Sequence, residues 1–242
     1  EITHSKYLSC MAGKTRVRWE DLIPADLPQE PPRRPTTEFT ESFNQADSTT
    51  LGPDLTWTET SGNLQTTSNE ADAVNTLEVS IARAEHNLST DDHESSIKVR
   101  ISGGGGTNNH SYAVTRFSSS AETGYVHRTR SNSQSNIYRY DAGVPTLLGS
   151  TQTVTINDGD RVGMRSDGSS QSSLLRGGIV DTQTDTNITG NLRCGFGLRA
   201  SDFGEPIADD FEAKDLVAGV SLEQIERRFP RGVQRGFHRG GA

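Results

Sequence analysis

Apolar and polar residues alternate along most of this chain with a period of two, which is typical of β-strands. The clearest example is the segment 136–164. Residues 137–140 and 146–150 form two β-rich runs around a turn at 141–145, in which Gly143 can adopt positive φ. This pattern predicts a β-hairpin.

A third run, residues 151–156, follows the hairpin and alternates in the same way. It ends at the turn cluster Asn157-Asp-Gly-Asp160, after which residues 161–164 form another short strand. The four runs together predict an antiparallel meander.

About a dozen short strands of this kind, separated by turn residues, are predicted along the body of the chain. The longest covers residues 72–84, where a single shift in alternation after Val74 indicates a bulge. Scarcely any helical periodicity interrupts them, so we expect an all-β sandwich or barrel with antiparallel sheets. The other predicted strands cover residues 38–43, 55–58, 63–66, 96–102, 110–117, 124–129, 173–180, 191–200 and 207–216.

The first and last of these strands share a local pattern. Each places an acidic residue close before a phenylalanine, in Glu41-Ser-Phe43 and in Asp210-Phe211. We therefore expect the two strands to pair, which closes the domain and leaves both chain ends on one side.

The segments that flank this body have a different composition. Residues 1–37 hold five prolines within a dozen positions, which favours an extended polyproline arm. In residues 217–242, a capping-box pattern at Ser221 predicts a short helix that ends before Pro230. We therefore predict an extended N-terminal arm, a β domain at 38–216 and a basic C-terminal tail.

Charge is distributed unevenly between these parts. The chain has a net charge of −8, yet the C-terminal tail carries five arginines against two glutamates. An acidic body with a basic tail favours docking on another protein over binding nucleic acid, although a solvated tail fits the composition as well. The side chains that we expect to anchor the flanks on partners are Trp19, Leu22, Ile23, Phe229, Arg231, Arg235 and Phe237.

Several classes of site lack support in the sequence. No run approaches the ~20 apolar residues of a membrane span, so no membrane partner is expected. Cys10 and Cys194 do not form a disulfide framework, and buried or free thiols are expected. We expect no cofactor; the turn 157–160 offers oxygen ligands for Ca²⁺, but Asn, Asp and Gly also favour a turn for conformational reasons.

Short phrases scattered between Glu38 and Leu216 carry a resemblance to a known family. They are Phe43-Asn-Gln-Ala-Asp47, Leu51-Gly52, Trp57, Tyr138-Arg-Tyr-Asp-Ala-Gly143, Thr146-Leu-Leu-Gly149, Gly159-Asp-Arg-Val162 and Asp209-Asp-Phe211. The body resembles concanavalin-A-like or laminin-G-like jelly rolls, in particular those in virion proteins of tailed phages, including minor tail proteins of phages that infect actinobacteria. The resemblance implies a two-sheet antiparallel jelly-roll sandwich used for adhesion to carbohydrate or protein.

The same family includes glycoside hydrolases. A retaining hydrolase needs two carboxylates about 5 to 5.5 Å apart, and on this fold they usually lie in a Glu-x-Asp-x-x-Glu arrangement. The nearest acidic clusters, Asp91-Asp-His-Glu94 and Asp209-Asp210, do not have this form. We therefore expect that the protein is not an enzyme.

A glycan-binding sheet presents aromatic rings that stack on sugars and planar polar groups that bind hydroxyls. Tyr112, Arg116, His127 and Arg139, on the central predicted strands, are the candidates. We expect a phage minor tail protein that displays the domain on the virion, binds host-surface glycan, and contacts other virion proteins and copies of itself. The alternatives are a capsid decoration protein, a glycan-active enzyme and a free lectin.

Overall fold

The structure is a computed structural model in which seventeen strands and no helix occur among the residues that it describes. The described residues are 7–9, 16–18, 37–74, 77–101, 109–131, 133–200 and 206–216. The strands are β1 (Tyr7–Ser9), β2 (Arg16–Arg18), β3 (Glu38–Glu41), β4 (Trp57–Ser61), β5 (Leu64–Thr67), β6 (Glu70–Ala73), β7 (Ser80–Ala84), β8 (His93–Ile101), β9 (His110–Phe117), β10 (Gly124–Arg130), β11 (Gln134–Asp141), β12 (Val144–Thr153), β13 (Arg161–Asp167), β14 (Ser170–Leu175), β15 (Gly178–Thr184), β16 (Arg193–Arg199) and β17 (Pro206–Asp215).

The chain divides into two compact units, Glu1–Pro35 and Thr36–Ala242. In the first unit, β1 and β2 pair antiparallel. The second unit contains two antiparallel sheets. The seven-stranded sheet has the order β12-β11-β10-β9-β16-β7-β4, and the eight-stranded sheet has the order β15-β14-β13-β8-β17-β6-β5, with β3 paired to β17. The two sheets form a jelly-roll sandwich, so the predicted fold class is confirmed.

The main core of the second unit is built around four aromatic rings, three from the two sheets and one, Phe43, from the loop after β3. The indole of Trp57 meets the rings of Phe196 and Phe211 edge-on, with centroids 5.1 Å apart in each case, and Phe43 lies 5.3 Å from Phe196. Phe196 belongs to the seven-stranded sheet and Phe211 to the eight-stranded one. Each ring removes a large apolar surface from water, which is worth about 1.5–3 kcal/mol per side chain.

The pairing of the first and last strands of the body is confirmed. Phe211 of β17 lies opposite Glu41 of β3. The Glu41 side chain is completely buried, and its carboxylate accepts hydrogen bonds from the backbone N–H groups of Phe43 at 3.0 Å and Leu55 at 2.8 Å, and from Trp57 Nε1 at 3.3 Å. The buried charge is thus satisfied by donors that also fix the loop after β3.

The single long strand predicted over residues 72–84 is wrong. The segment instead contains the end of β6 in the eight-stranded sheet and the whole of β7 in the seven-stranded sheet. Val74 and Leu77 lie between them and are 42% and 54% exposed. The shift in alternation marks the place where the chain crosses from one sheet to the other, because apolar spacing alone does not show which sheet a strand joins.

The hairpin of β11 and β12 is confirmed, but the meander is wrong. The turn contains only Ala142 and Gly143, both with positive φ, which is the two-residue turn that matches the twist of a hairpin. Residues 151–153 continue β12 instead of starting a new strand, and β13 lies in the other sheet. The predicted strand 173–180 is likewise a hairpin, β14–β15, with a turn at Arg176-Gly177.

Other expectations stay open. The predicted helix after Ser221 and the seven anchoring residues lie outside the described residues, and the three-part division of the chain stays a prediction. Cys194 is buried with a free thiol, whereas Cys10 lies outside the described residues. Within the described part of the chain, no helix is long and apolar enough to cross a membrane.

Candidate functional site

The seven-stranded sheet carries a second hydrophobic cluster on the face turned away from the eight-stranded sheet. Ala113 and Tyr125 pack with Met164 of the opposite sheet, so their neighbours Tyr112 and Val126 point to the other side. We call this second group the outer cluster. Its members are Ile81, Tyr112, Val114, Phe117 and Val126, with Val79, Tyr138 and Tyr140 packed against them.

The partly exposed part of the outer cluster combines aromatic rings with planar polar groups. The guanidinium of Arg128 lies over the ring of Tyr138, 4.6 Å from its centroid, and the Tyr138 and Tyr140 rings are 6.4 Å apart in an edge-on arrangement. Arg128 also donates to Asn136 Oδ1 at 3.0 Å, and Asn136 Nδ2 donates to Thr151 Oγ1 at 2.7 Å. Strands β10, β11 and β12 thus present rings and hydrogen-bonding groups side by side.

Two glycines of β16 let the outer cluster lie flat on its sheet. A Cβ added at Gly195 would meet the Phe117 ring at 2.9 Å, and one at Gly197 would meet Ile81 Cγ1 at 2.8 Å. The carbonyl oxygens of Ala82 and Ser80 in β7 would be closer still, so the neighbouring backbone and the side chains together exclude a Cβ at either glycine. Without side chains of their own, they leave the neighbouring strand free to carry Tyr112 and Val114.

The environment of Tyr140 includes a carboxyl group with an unusual pKa. Burial raises the pKa of Glu122, and the neighbouring Ser61 hydroxyl only partly opposes this. Burial also raises the pKa of Tyr140 to about 12, and the charge of Glu122 adds to the effect. A partly buried carboxyl group that holds its proton above the ordinary range can donate that proton.

His110 and Tyr112 form a neutral pair on the same face. His110 Nδ1 lies 2.9 Å from the Tyr112 hydroxyl. Burial lowers the pKa of His110 to about 3, with further contributions from Arg128, Arg130 and Arg199. Burial raises the pKa of Tyr112. Both groups are therefore uncharged at neutral pH.

Arg116, one of the four predicted glycan-binding residues, lies inside the fold. Its side chain is 1% exposed, and its guanidinium donates to the carbonyl oxygens of Asp91 at 2.8 Å, Gly168 at 2.8 Å and Ile188 at 3.0 Å, and to a carboxylate oxygen of Asp92 at 3.1 Å. These acceptors come from three separate loops. The guanidinium is therefore occupied in joining loops at one end of the sandwich.

His127 and Arg139 lie on the inner side of the same sheet. His127 is completely buried, with Nδ1 2.8 Å from Gly163 O and Nε2 2.8 Å from Ser135 Oγ. Arg139 Nη1 donates to Asp185 Oδ2 at 2.6 Å. Burial lowers the pKa of His127 to about 4. His127 is thus satisfied by protein groups, and Arg139 is paired with Asp185 although its buried Nε has no hydrogen-bond partner among the described residues.

The four predicted residues do not come together, because only Tyr112 faces outward. The sequence reasoning missed Arg128, Tyr138 and Tyr140, although a signal for them existed. Tyr138 and Tyr140 are two residues apart in a correctly predicted strand, so they had to share a face. Choosing one residue from each strand by type, without following that alternation, mixed the two faces of the sheet.

The turn considered for calcium is closed by protein groups. Asp160 accepts a hydrogen bond from the Asn157 backbone N–H at 2.6 Å and two from Arg176, at 2.6 and 2.7 Å. Gly159 has a φ of 79°. Among the described residues, no group of three or more His, Cys, Asp or Glu side chains could hold a metal ion.

Comparisons with known proteins place the fold among concanavalin-like jelly rolls. A β-1,3-1,4-glucanase (lichenase) derived from a mouse hindgut metagenome aligns at 11% identity over 74% of this chain and 99% of its own, with a TM-score of 0.52. The Bacillus licheniformis β-glucanase aligns at 11% identity over 74% and 98%, with a TM-score of 0.51. The Crh5 transglycosylase aligns at 11% over 74% and 84%, also with a TM-score of 0.51. No protein-family model and no curated protein sequence matches the chain.

These comparisons correct one prediction and leave another without support. The prediction that the protein is not an enzyme is contradicted, because glucanases and a transglycosylase share its fold. A missing Glu-x-Asp-x-x-Glu triplet is therefore not sufficient ground for that prediction. Nothing in the comparisons points to phage tail proteins.

Proposed function

We propose that this protein recognises a glycan on the outer face of its seven-stranded sheet. The observation that carries the proposal is the stacking of Arg128 on Tyr138, with Tyr140 beside them on a partly exposed surface and the buried Asn136 accepting a hydrogen bond from the guanidinium. Sugar rings present C–H groups that pack on aromatic rings and hydroxyls that pair with amide and guanidinium groups. The fold shared with glucanases supports the proposal.

Tyr138 is the residue whose loss tests this proposal most directly. Calorimetric titration of the protein with soluble β-glucan oligosaccharides, and with a wider glycan array, should show saturable binding. Tyr138→Ala should weaken that binding about 10- to 100-fold, because stacking on an aromatic ring is worth about 1–3 kcal/mol. The matched control is Tyr125→Phe, which alters a tyrosine on the inner face and should leave the affinity unchanged. Equal affinity of wild type and Tyr138→Ala for every ligand found would contradict the assignment of glycan binding to the outer face.

A second candidate function is cleavage or transfer of the bound glycan, and Glu122 favours it. Burial raises the pKa of its carboxyl group, as a general acid requires, and its charge contributes to the raised pKa of Tyr140. Such chemistry needs a second, ionised carboxylate. Glu85, which pairs with Arg83 and Arg193 and has a lowered pKa, is the partner to test.

The test is the release of reducing ends from β-glucans. A glycan-active enzyme should release them, and Glu122→Gln should reduce the rate at least 100-fold while the affinity for substrate stays within about threefold. Saturable binding without any release, over the same ligands, would leave recognition as the function and reject cleavage.

The location of the domain on a phage particle remains a proposal that rests on the resemblance of the sequence alone. Antibody labelling of purified virions from a phage that encodes this chain would test it. Label at the tail supports a minor tail protein, and label on the head supports the decoration alternative. Absence of label from intact particles would reject both.

A further inference from the structure

Basic side chains line up across three strands at one end of the outer face. Arg130 of β10 and Arg199 of β16 are the cross-strand neighbours of His110 on β9. In the next row, Arg128 lies opposite Tyr112. Directly opposed residues in an antiparallel sheet have Cβ atoms about 4.5–5.5 Å apart and diagonal neighbours about 7–8 Å, so Arg130 and Arg199 flank His110 and Arg128 is its diagonal neighbour. Their combined effect on the pKa of His110 agrees with this placement.

Two of these arginines are not neutralised by carboxylates of the described residues. Arg128 donates to the amide oxygen of Asn136, and Arg199 Nε donates to the Leu77 carbonyl at 3.1 Å. Neither forms an ion pair with a described residue. In contrast, several arginines elsewhere on the second unit have carboxylate partners, and they include Arg139, Arg161, Arg165, Arg176 and Arg193. In a chain with net charge −8, two guanidinium groups without a described carboxylate partner, one on each side of β9, distinguish this part of the outer face.

The patch also contains buried polar atoms without partners. His110 is 5% exposed, and its Nε2 has no hydrogen-bond partner among the described residues; the same holds for Nε of Arg128. The Tyr112 hydroxyl can donate to Nδ1 of the neutral imidazole, which leaves Nε2–H as a donor. Unsatisfied donors at buried positions cost stability unless a ligand or water accepts from them. The side chains of Arg128, Arg130 and Arg199 are partly exposed, so an anionic group can reach their guanidinium groups.

We propose that this row, Arg130, His110 and Arg199 with Arg128 beside it, is a subsite for an acidic sugar, and that the protein prefers glycans carrying carboxylate or sulfate groups. The inference rests on the proposed glycan-binding function and names the class of ligand. Sugar rings pack on Tyr138 and Tyr140, and the anionic substituent is bound by the arginines one row away. Guanidinium groups suit this task because their planar fork binds carboxylate and sulfate oxygens in pairs.

The experiment compares three forms of one oligosaccharide: a neutral β-glucan, the same chain with its C6 hydroxyls oxidised to carboxylates, and its 6-sulfate. Calorimetric titration of the full chain should show about tenfold tighter binding of at least one acidic form. The gain should shrink as NaCl is raised from 50 to 300 mM, because salt screens partly exposed charges.

Arg199→Gln and Arg130→Gln should each reduce the acidic gain at least threefold without weakening binding of the neutral form, and Arg199→Lys should retain part of it. Arg176→Gln removes the same charge from a hairpin turn of the other sheet and should change neither affinity. Equal binding of all three forms rejects the acidic subsite while the proposed function stands. If the protein binds none of the three forms and no glycan on the wider array, both the acidic subsite and the proposed function are rejected.

Discussion

The two faces of the seven-stranded sheet carry the same kinds of residue and use them differently. On the inner side, Arg116 is 1% exposed and donates to acceptors from three loops. On the outer side, Arg128 lies over a tyrosine ring, and its Nε has no hydrogen-bond partner among the described residues. Residue type alone therefore does not identify a binding group. We expect binding groups among the side chains of the outer face that keep hydrogen-bonding capacity once the fold is formed.

The two histidines make the same comparison. Burial lowers the pKa of both, to about 4 for His127 and about 3 for His110, so both are neutral at pH 7. Both ring nitrogens of His127 have protein partners, whereas only Nδ1 of His110 has one among the described residues. Inner polar groups are therefore expected to determine stability, and outer ones to determine binding.

Replacing Arg116 should lower the stability of the protein more than any other change considered. Arg116→Met leaves the carbonyl oxygens of Gly168 and Ile188 without their buried donor, and should lower the free energy of unfolding by about 3–5 kcal/mol. Urea denaturation measures it. Arg128→Met is the matched control on the outer face and should cost about 1 kcal/mol or less. Similar costs at the two positions would remove the proposed difference between the faces.

The next effect is a loss of stability in mild acid. Because the folded pKa of His127 is lowered to about 4 and its unfolded pKa is about 6.5, its contribution is complete above pH 6.5 and is lost as the pH falls to about 4. The loss should reach about 3 kcal/mol. Urea denaturation at pH 7, 5.5 and 4.5 should show a smaller decrease for His127→Gln than for wild type. The same decrease in both proteins would show that His127 is not protonated on unfolding.

A smaller loss of stability is expected where the outer cluster packs against the glycines of β16. Gly195→Ala would put a Cβ against the Ala82 carbonyl oxygen and 2.9 Å from the Phe117 ring, and should cost about 1–3 kcal/mol. Thermal unfolding measures this cost, and glycan titration should show weaker binding because Phe117 is displaced. Gly168→Ala, at a hairpin turn with nothing within 4 Å of the added Cβ, is a control for positive-φ strain without crowding. If both variants lost equal stability, crowding at Gly195 would not be the cause.

The smallest expected change in stability is the difference between removing the hydroxyl of Tyr125 and removing that of Tyr138. The Tyr125 hydroxyl donates to Asp185 Oδ1 at 2.6 Å and accepts from the Ile188 N–H at 3.1 Å, so Tyr125→Phe should cost about 1 kcal/mol. The Tyr138 hydroxyl makes no hydrogen bond with a described residue, and Tyr138→Phe should change stability by less than about 0.5 kcal/mol. Chemical denaturation with a precision of a few tenths of a kcal/mol distinguishes them. A larger cost for Tyr138→Phe would reverse the assignment of the two faces.

Much of the fold could be predicted from local patterns. Alternation and turn residues predicted the all-β class and the β11–β12 hairpin, and a shared acidic–phenylalanine pattern predicted the pairing of the first and last strands of the body. They did not show that residues 72–84 cross between sheets, or that β13 leaves the sheet of β12. A strand has the same alternation whichever sheet it joins, because pairing partners lie far away in the chain.

Local alternation fixes which residues of each strand share a face, because the side-chain period of a strand is two and Tyr138 and Tyr140 must point the same way. Which of the two faces is turned inward depends on how the sheets pack. Both faces of this sheet carry buried apolar side chains, so alternation alone could not distinguish them. The loops that surround Arg116 and the arginines that surround His110 come from separate segments of the chain, which folding brings together. Arg116 thereby becomes a structural group, whereas His110 keeps an unused donor.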